Sequence, residues 1–232
     1  MAEVRVIGLT QPGTIGWHGN FFDPNIKTPE DILVYCARVS NPSNQANMDT
    51  GAKLLAYCIK NKHWSVFETV SMTMELTTTR DIARQVLRHR SFSFQEFSQR
   101  YAEVQAFEYR EARLQDNKNR QNSIETDDDN LQSEWWIKQD VVLDLVKKNY
   151  KWALDNGIAK EQARAILPEG MTQSRLYMQG SLRLWITYVS LREKNGTQKE
   201  HQEIALMCKE RIKTHFPSVD LALSDETGAW KI

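Results

Sequence analysis

The sequence predicts an α/β protein of the α+β type, a modest central sheet carrying several long helices. Two patterns place strands: Val4 to Leu9 reads as a short buried strand, and Val70 to Leu76 alternates strictly, with Val70, Met72, Met74 and Leu76 set against Ser71, Thr73 and Glu75. Helical periodicity governs much of the second half, over Ser133 to Asn156, Ser181 to Arg192 and Thr197 to Phe216. The 232 residues are long enough to bury a proper core and could form one domain or two small ones.

After the first strand, Thr10 to Lys27 reads as a loop; its Gly13, Gly16 and Gly19 lack the spacing and the strand-to-helix context of a dinucleotide fingerprint. Thr28-Pro29-Glu30-Asp31 opens a helix to about Val39, with Thr as cap and Pro in the first helical position. Asn41-Pro42-Ser43-Asn44 breaks the chain, and a second helix spans Thr50 to Asn61 with Leu54, Leu55 and Cys58 on one face. Thr79 caps a helix from Arg80 to His89. Ile82, Ala83, Val86 and Leu87 make its apolar face, Arg80, Arg84 and Arg88 recur on a second, and Gln85 and His89 stand one turn apart on a polar edge.

Phe107 to Asn130 is polar and suits a lid or a surface excursion, and its acidic run, Asp127 to Asp129, reads as a solvated helix start rather than a metal site. The long helix from Ser133 carries a stripe of Ile137, Val141 and Leu145 beside Val142 and Val146, and Gly157 closes it. A shorter helix, Lys160 to Leu167, stops before Pro168. Thr172 to Met178 is extended and leads into Ser181 to Arg192, with an apolar face of Leu184, Trp185, Tyr188, Val189 and Leu191. Thr197 and Glu200 have the spacing of a capping box for the last helix, which runs to Phe216 before Pro217; from Ser218 onward there is no functional signal.

Composition narrows the function. Lys plus Arg equals Asp plus Glu at thirty each, which argues against a general nucleic-acid or membrane-surface protein. No leader pattern opens the chain and no apolar run is long enough to span a bilayer. Cys36, Cys58 and Cys208 lie far apart in apolar, helix-like surroundings and fit reduced core residues of a cytoplasmic protein. The five histidines show no metal-ligand spacing, so no metal is expected; the seven tryptophans are assigned mostly to packing.

One stretch stands out. Arg88-His89-Arg90-Ser91-Phe92-Ser93-Phe94-Gln95-Glu96-Phe97-Ser98-Gln99-Arg100-Tyr101 crowds arginines, a histidine, a carboxylate and hydroxyls around alternating aromatics. Arginine forks suit phosphate or carboxylate, and Glu96 can accept from a ribose or base edge. These residue types describe an anion site with a planar group nearby, most simply a nucleotide.

The pattern Arg88-His89-Arg90, seven residues, then Ser98, followed by Arg100 and Tyr101, resembles that of the flavin-dependent thymidylate synthases. The likeness runs from about Asp31 to Phe216, through His63-Trp64-Ser65-Val66-Phe67-Glu68, Ala163-Arg164-Ala165-Ile166-Leu167-Pro168 and Leu191-Arg192. It implies methylation of deoxyuridine monophosphate (dUMP) at C5. The carbon would come from 5,10-methylenetetrahydrofolate and the hydride from FAD reduced by NADPH, in a homotetramer whose sites are shared between subunits. By match, His63, Ser65, Glu68, Arg88, His89, Arg90, Glu96, Ser181, Arg183 and Thr187 would hold FAD. Gln85, Arg88, Glu96, Phe97, Ser98, Gln99, Arg100, Arg164 and Arg192 would hold dUMP, and Arg192 would stabilise charge on the pyrimidine. His63 and His89 would tune the flavin through their protonation.

Several residues depart from the family pattern: Gln95 stands where Asn is common, Gln99 where a small residue is common, Ser181 and Thr187 where Asn is frequent, and Gly196 where a flavin-contacting His is frequent. For Gln99 the match implies contact with substrate through its backbone N–H. Gln198, Glu200 and Gln202 resemble the family's polar run. Ser98 has no base beside it in sequence and the cysteines lack basic company, so no protein nucleophile is expected. Two rivals stand beside this reading: a nucleic-acid-binding module using the basic, aromatic-interleaved Arg80 to Arg100 segment, and a nucleotide-binding regulator without catalysis. Bound flavin separates the enzyme from the first, and turnover separates it from the second.

Overall fold

The computed structural model describes residues 2–13, 23–104, 106–194 and 196–232. The part of the first loop that includes Gly16 and Gly19 lies outside them. The sheet is four-stranded and antiparallel throughout, in the order β1 (Glu3–Leu9), β2 (Ser71–Thr79), β6 (Gln173–Ser181), β3 (Ser93–Glu96). Its centre is the β2–β6 ladder, where Met74 faces Met178 and Leu76 faces Leu176, all four fully buried. The alternation read for β2 holds at Met72, Met74 and Leu76, but the strand continues to Thr79 and its second face is covered too. Glu75 is buried there, in an ion pair with Arg5 of β1.

One contiguous core joins this sheet to α1 (Pro29–Ala37), α2 (Gly51–Lys60), α3 (Arg80–Val86), α6 (Leu182–Arg192), α7 (Lys199–His215) and α8 (Pro217–Leu223). The Thr28 cap is a full capping box with Asp31. The start of α4 (Asp129–Asp155) is also capped as its sequence suggests, Asp128 accepting from the backbone N–H groups of Asn130 and Leu131.

Four expectations are corrected and two readings are extended. The first strand, β1, is not buried along its length: Val4 is buried, but Ile7 is exposed. The helix after Thr79 ends at Val86, three residues short of His89, because the chain turns there to carry Phe92 into the core. Thr197 and Glu200 form no capping box: Gln198 holds the cap position of α7, and the Glu200 carboxylate is drawn to Arg110 and Arg113. The Phe107 to Asn130 stretch contains a small hairpin, β4 (Arg113–Gln115) with β5 (Ser123–Glu125), and Pro217 both stops α7 and opens α8. Finally, the α4 stripe does not pack within the chain. Ile137, Val141 and Leu145 are about three-fifths exposed, and Trp135, Trp136 and Trp152 are exposed beside them, whereas Trp185 and Trp230 are buried. A small satellite cluster around Tyr150, Ala153 and Ala163 ties the C-terminal part of α4 to α5 (Lys160–Ala163).

Candidate active site

The arginine-rich stretch is held by one aromatic anchor. After α3 the backbone closes tight turns, with Phe92 N–H donating to the His89 carbonyl. The Phe92 ring packs edge-on to Trp185 at 4.9 Å between centroids and lies over Gly180, where a Cβ would come within 2.6 Å of the ring. Gly180 is therefore the residue that lets the motif seat against β6. Ser91 and Ser93 alternate outward, and Arg88 and Arg90 are exposed, with no side-chain hydrogen bond or ion pair among the described residues.

The polar edge of α3 meets the end of α6. Arg192 Nε donates to His89 Nε2 at 3.0 Å, so His89 carries its proton on Nδ1. The His89 ring stands edge-on to Tyr188 at 4.9 Å. Gln85 Nε2 donates to Gln198 Oε1 at 2.7 Å, and Gln85 Oε1 lies 3.4 Å from His201 Nδ1. Gln85, His89 and Arg192 are thus brought together as expected, but Tyr188, Gln198 and His201 complete the cluster. Tyr188 and His201 are wholly buried, and the Tyr188 hydroxyl and His201 Nε2 have no partner among the described residues. In the sequence Tyr188 is legible only as part of the apolar face of its helix, and nothing there singles out His201.

Burial, together with the Arg192 charge, lowers His89 to about 4 and His201 to about 3. Both rings are neutral at pH 7, so His89 serves Arg192 as an acceptor. The linkage has a definite sign. Unfolded imidazoles gain protons below about pH 6.5 and the folded ones resist until much lower, so their stability contribution is full above pH 6.5 and is lost as pH falls towards 4. The melting temperature is expected to drop across that window, more steeply in the native chain than in His201→Phe. Equal slopes in calorimetry would show that His201 titrates normally.

The opposite face of α3 lines a groove of about 420 Å³ with the α5 region, where Arg80, Arg84, Gln99 and Arg164 converge. Arg84 pairs with Glu169, Arg80 lies 3.5 Å from Glu96 Oε1, and Arg100 lies 3.3 Å from Glu161. Glu96 Oε1 also accepts from Ser174 at 2.9 Å, which leaves Oε2 for another donor. Gln99 is buried, and its Nε2 has no hydrogen-bond partner among the described residues. Ser98 Oγ accepts from the Arg100 N–H at 3.4 Å, and Phe97 is half-buried, its N–H donating to the Arg175 carbonyl.

A third group forms at the start of α6. Ser181 caps the helix and donates to Glu68, and Arg183 Nη1 lies 3.2 Å from the same carboxylate. Glu68 and Ser181 therefore satisfy each other, and this rim offers Arg183 and Thr187 outward, with His63 and Ser65 exposed on the adjoining turn. Gly196 has φ +96°, a left-handed conformation that glycine takes without strain, so a histidine would be disfavoured at this position. Burial pushes the Cys58 and Cys208 thiols up, away from thiolate chemistry.

In the basic segment Arg80, Arg84 and Arg100 each stand beside a carboxylate of the chain, Glu96, Glu169 and Glu161 respectively. Among the described residues no helix is long and apolar enough to cross a membrane.

Fold and site together define an α+β protein that gathers arginine forks and oriented amides around α3 and the end of α6. The model of the family described as thymidylate synthase complementing protein matches residues 24–218, and the chain belongs to that family. A protein of Paramecium bursaria Chlorella virus 1 named probable flavin-dependent thymidylate synthase is 49% identical over 222 residues, 95% of this chain and 98% of its own. The flavin-dependent thymidylate synthase of Synechocystis sp. is 50% identical over 221 residues, 95% of this chain and 99% of its own. In fold, the chain is similar to a UMP/dUMP methylase, PolB from Streptomyces cacaoi, in its crystal structure with 5-Br dUMP. The TM-score is 0.80 at 24% identity, over 100% of this chain and 97% of that one.

Proposed function

We propose that this chain is a flavin-dependent thymidylate synthase that methylates dUMP at C5, using 5,10-methylenetetrahydrofolate as carbon donor and FAD reduced by NADPH. The observation that carries the reading is its near-full-length identity of 49–50% with proteins bearing that name. The residues fit the cofactor: Arg88 and Arg90 are exposed guanidinium forks with no partner among the described residues, suited to a diphosphate, and Arg183, Thr187, His63 and Ser65 are exposed polar groups. When bound, the flavin supplies the hydride.

The chain's own residues position and polarise the substrate. His89 takes Arg192 Nε, so the two Nη groups of Arg192 remain for the N3 and O2 edge of the pyrimidine, where negative charge grows as C5 becomes nucleophilic. Gln99 Nε2, Arg164 and Arg100 serve the phosphate, with Ser98 and Phe97 shaping the approach and the free Oε2 of Glu96 accepting from the sugar or base. Neither Ser98 nor a cysteine acts as nucleophile. The exposed apolar face of α4 supports assembly with further copies of the chain, as a tetramer with shared sites requires.

Purified protein should carry the visible absorption of a flavin that NADPH bleaches without oxygen, faster when dUMP is present. A colourless protein that takes up no added FAD would overturn the assignment.

A further inference from the structure

Gln85 meets its surroundings with an amide whose sense is dictated from a distance. The sequence of hydrogen bonds starts at a carboxylate. Glu200 Oε1 accepts from Arg113 and lies 3.4 Å from Arg110 Nη1, and Glu200 Oε2 accepts from Gln198 Nε2 at 2.9 Å. An ionised carboxylate only accepts, so Gln198 must turn its NH₂ towards Glu200 and its carbonyl away. That carbonyl receives Gln85 Nε2 at 2.7 Å. The Gln85 carbonyl is thereby turned to His201 Nδ1, 3.4 Å away, a contact that requires the proton on Nδ1. Each amide in the series is read in one direction only, and His201, wholly buried, closes the inner end.

The geometry points to a positioning relay in which Glu200, Gln198 and His201 fix the Gln85 amide so that it offers the nucleotide one remaining N–H and one remaining lone pair in a set order. This rests on the assignment of Gln85 to dUMP made above. A rotated amide would present a donor where an acceptor is wanted, and a binding site built on hydrogen bonds discriminates strongly against such mismatches. The relay also explains why Glu200 does not cap α7: its carboxylate is the terminus that gives the series its polarity.

The test is calorimetric titration of the flavin-loaded protein with dUMP, alongside steady-state kinetics. Gln198→Leu and His201→Phe should each weaken dUMP binding about tenfold, the loss of roughly one well-formed hydrogen bond, with kcat at saturating dUMP within about threefold of native. His201→Asn, whose side-chain NH₂ can replace Nδ1–H, should restore binding to within about threefold. In a Gln85→Ala background, Gln198→Leu should have no further effect.

The relay is overturned if Gln85→Ala weakens binding while Gln198→Leu and His201→Phe do not, or if Gln198→Leu still weakens binding without Gln85. Native affinity in Gln85→Ala would instead remove Gln85 from the nucleotide site, and the relay with it. Gln198 is only half-buried, so Gln198→Leu carries the test should His201→Phe fail to fold.

Discussion

Arg192→Ala should reduce turnover by about a thousandfold while the protein keeps its fold and its flavin, the scale seen when an oriented donor to developing charge is removed. The guanidinium is half-buried at the end of α6 and is oriented by a neutral His89, whose Nε2 takes the Nε proton. What is lost is a planar pair of donors held in place before the charge appears. Arg192→Lys should therefore recover little, since an ammonium supplies a point charge without the fork. Single-turnover measurement of dTMP formation with pre-reduced flavin isolates the step. A loss smaller than tenfold in Arg192→Ala would move charge stabilisation to another residue.

Lys209→Ala is expected to be the most damaging single change outside the site, at about 3–5 kcal/mol, because it strands a buried carboxylate. Lys209 and Glu193 are both more than nine-tenths buried, 2.7 Å apart. The Glu193 carboxylate also accepts from the Trp230 backbone N–H, and Lys209 donates to the Gly228 carbonyl under the Trp230 ring. Replacing both charges together, Lys209→Met with Glu193→Leu, should restore much of the loss, since no uncompensated charge remains. Urea unfolding of the single and double variants decides it: equal destabilisation in both would show that packing, not charge, dominates. Glu193 follows Arg192 directly, so this pair also steadies the helix end from which Arg192 projects.

Much of the fold could be read from local pattern. The capped start of α1, the Asp128 cap of α4 and the β2 alternation are all decided by neighbours within a few residues. Long-range pairing was not legible. Nothing near Thr197 announces that Glu200 will be claimed by Arg110 and Arg113, and the β4–β5 hairpin has strands of three residues with one apolar side chain each, too short to show a period. Periodicity on α4 identified a face without saying what covers it. In the site, Gln85, His89 and Arg192 followed from the motif and its resemblance. His201 did not, because a histidine amid Ile204, Ala205 and Cys208 reads as a core residue until Gln85 is seen beside it.

The pairing of β2 with β6 has a consequence for how the chain matures. Met74 must find Met178, on the order of a hundred residues away, before the middle of the sheet exists, and closing so long a loop delays the contact. On the ribosome β2 emerges early and waits, its apolar face unpartnered, until β6 has been made. Trp185, whose indole N–H donates to the Met72 carbonyl at 3.1 Å, becomes a reporter of that late event. Its fluorescence should change only when the chain has been extended past α6 and the sheet has closed.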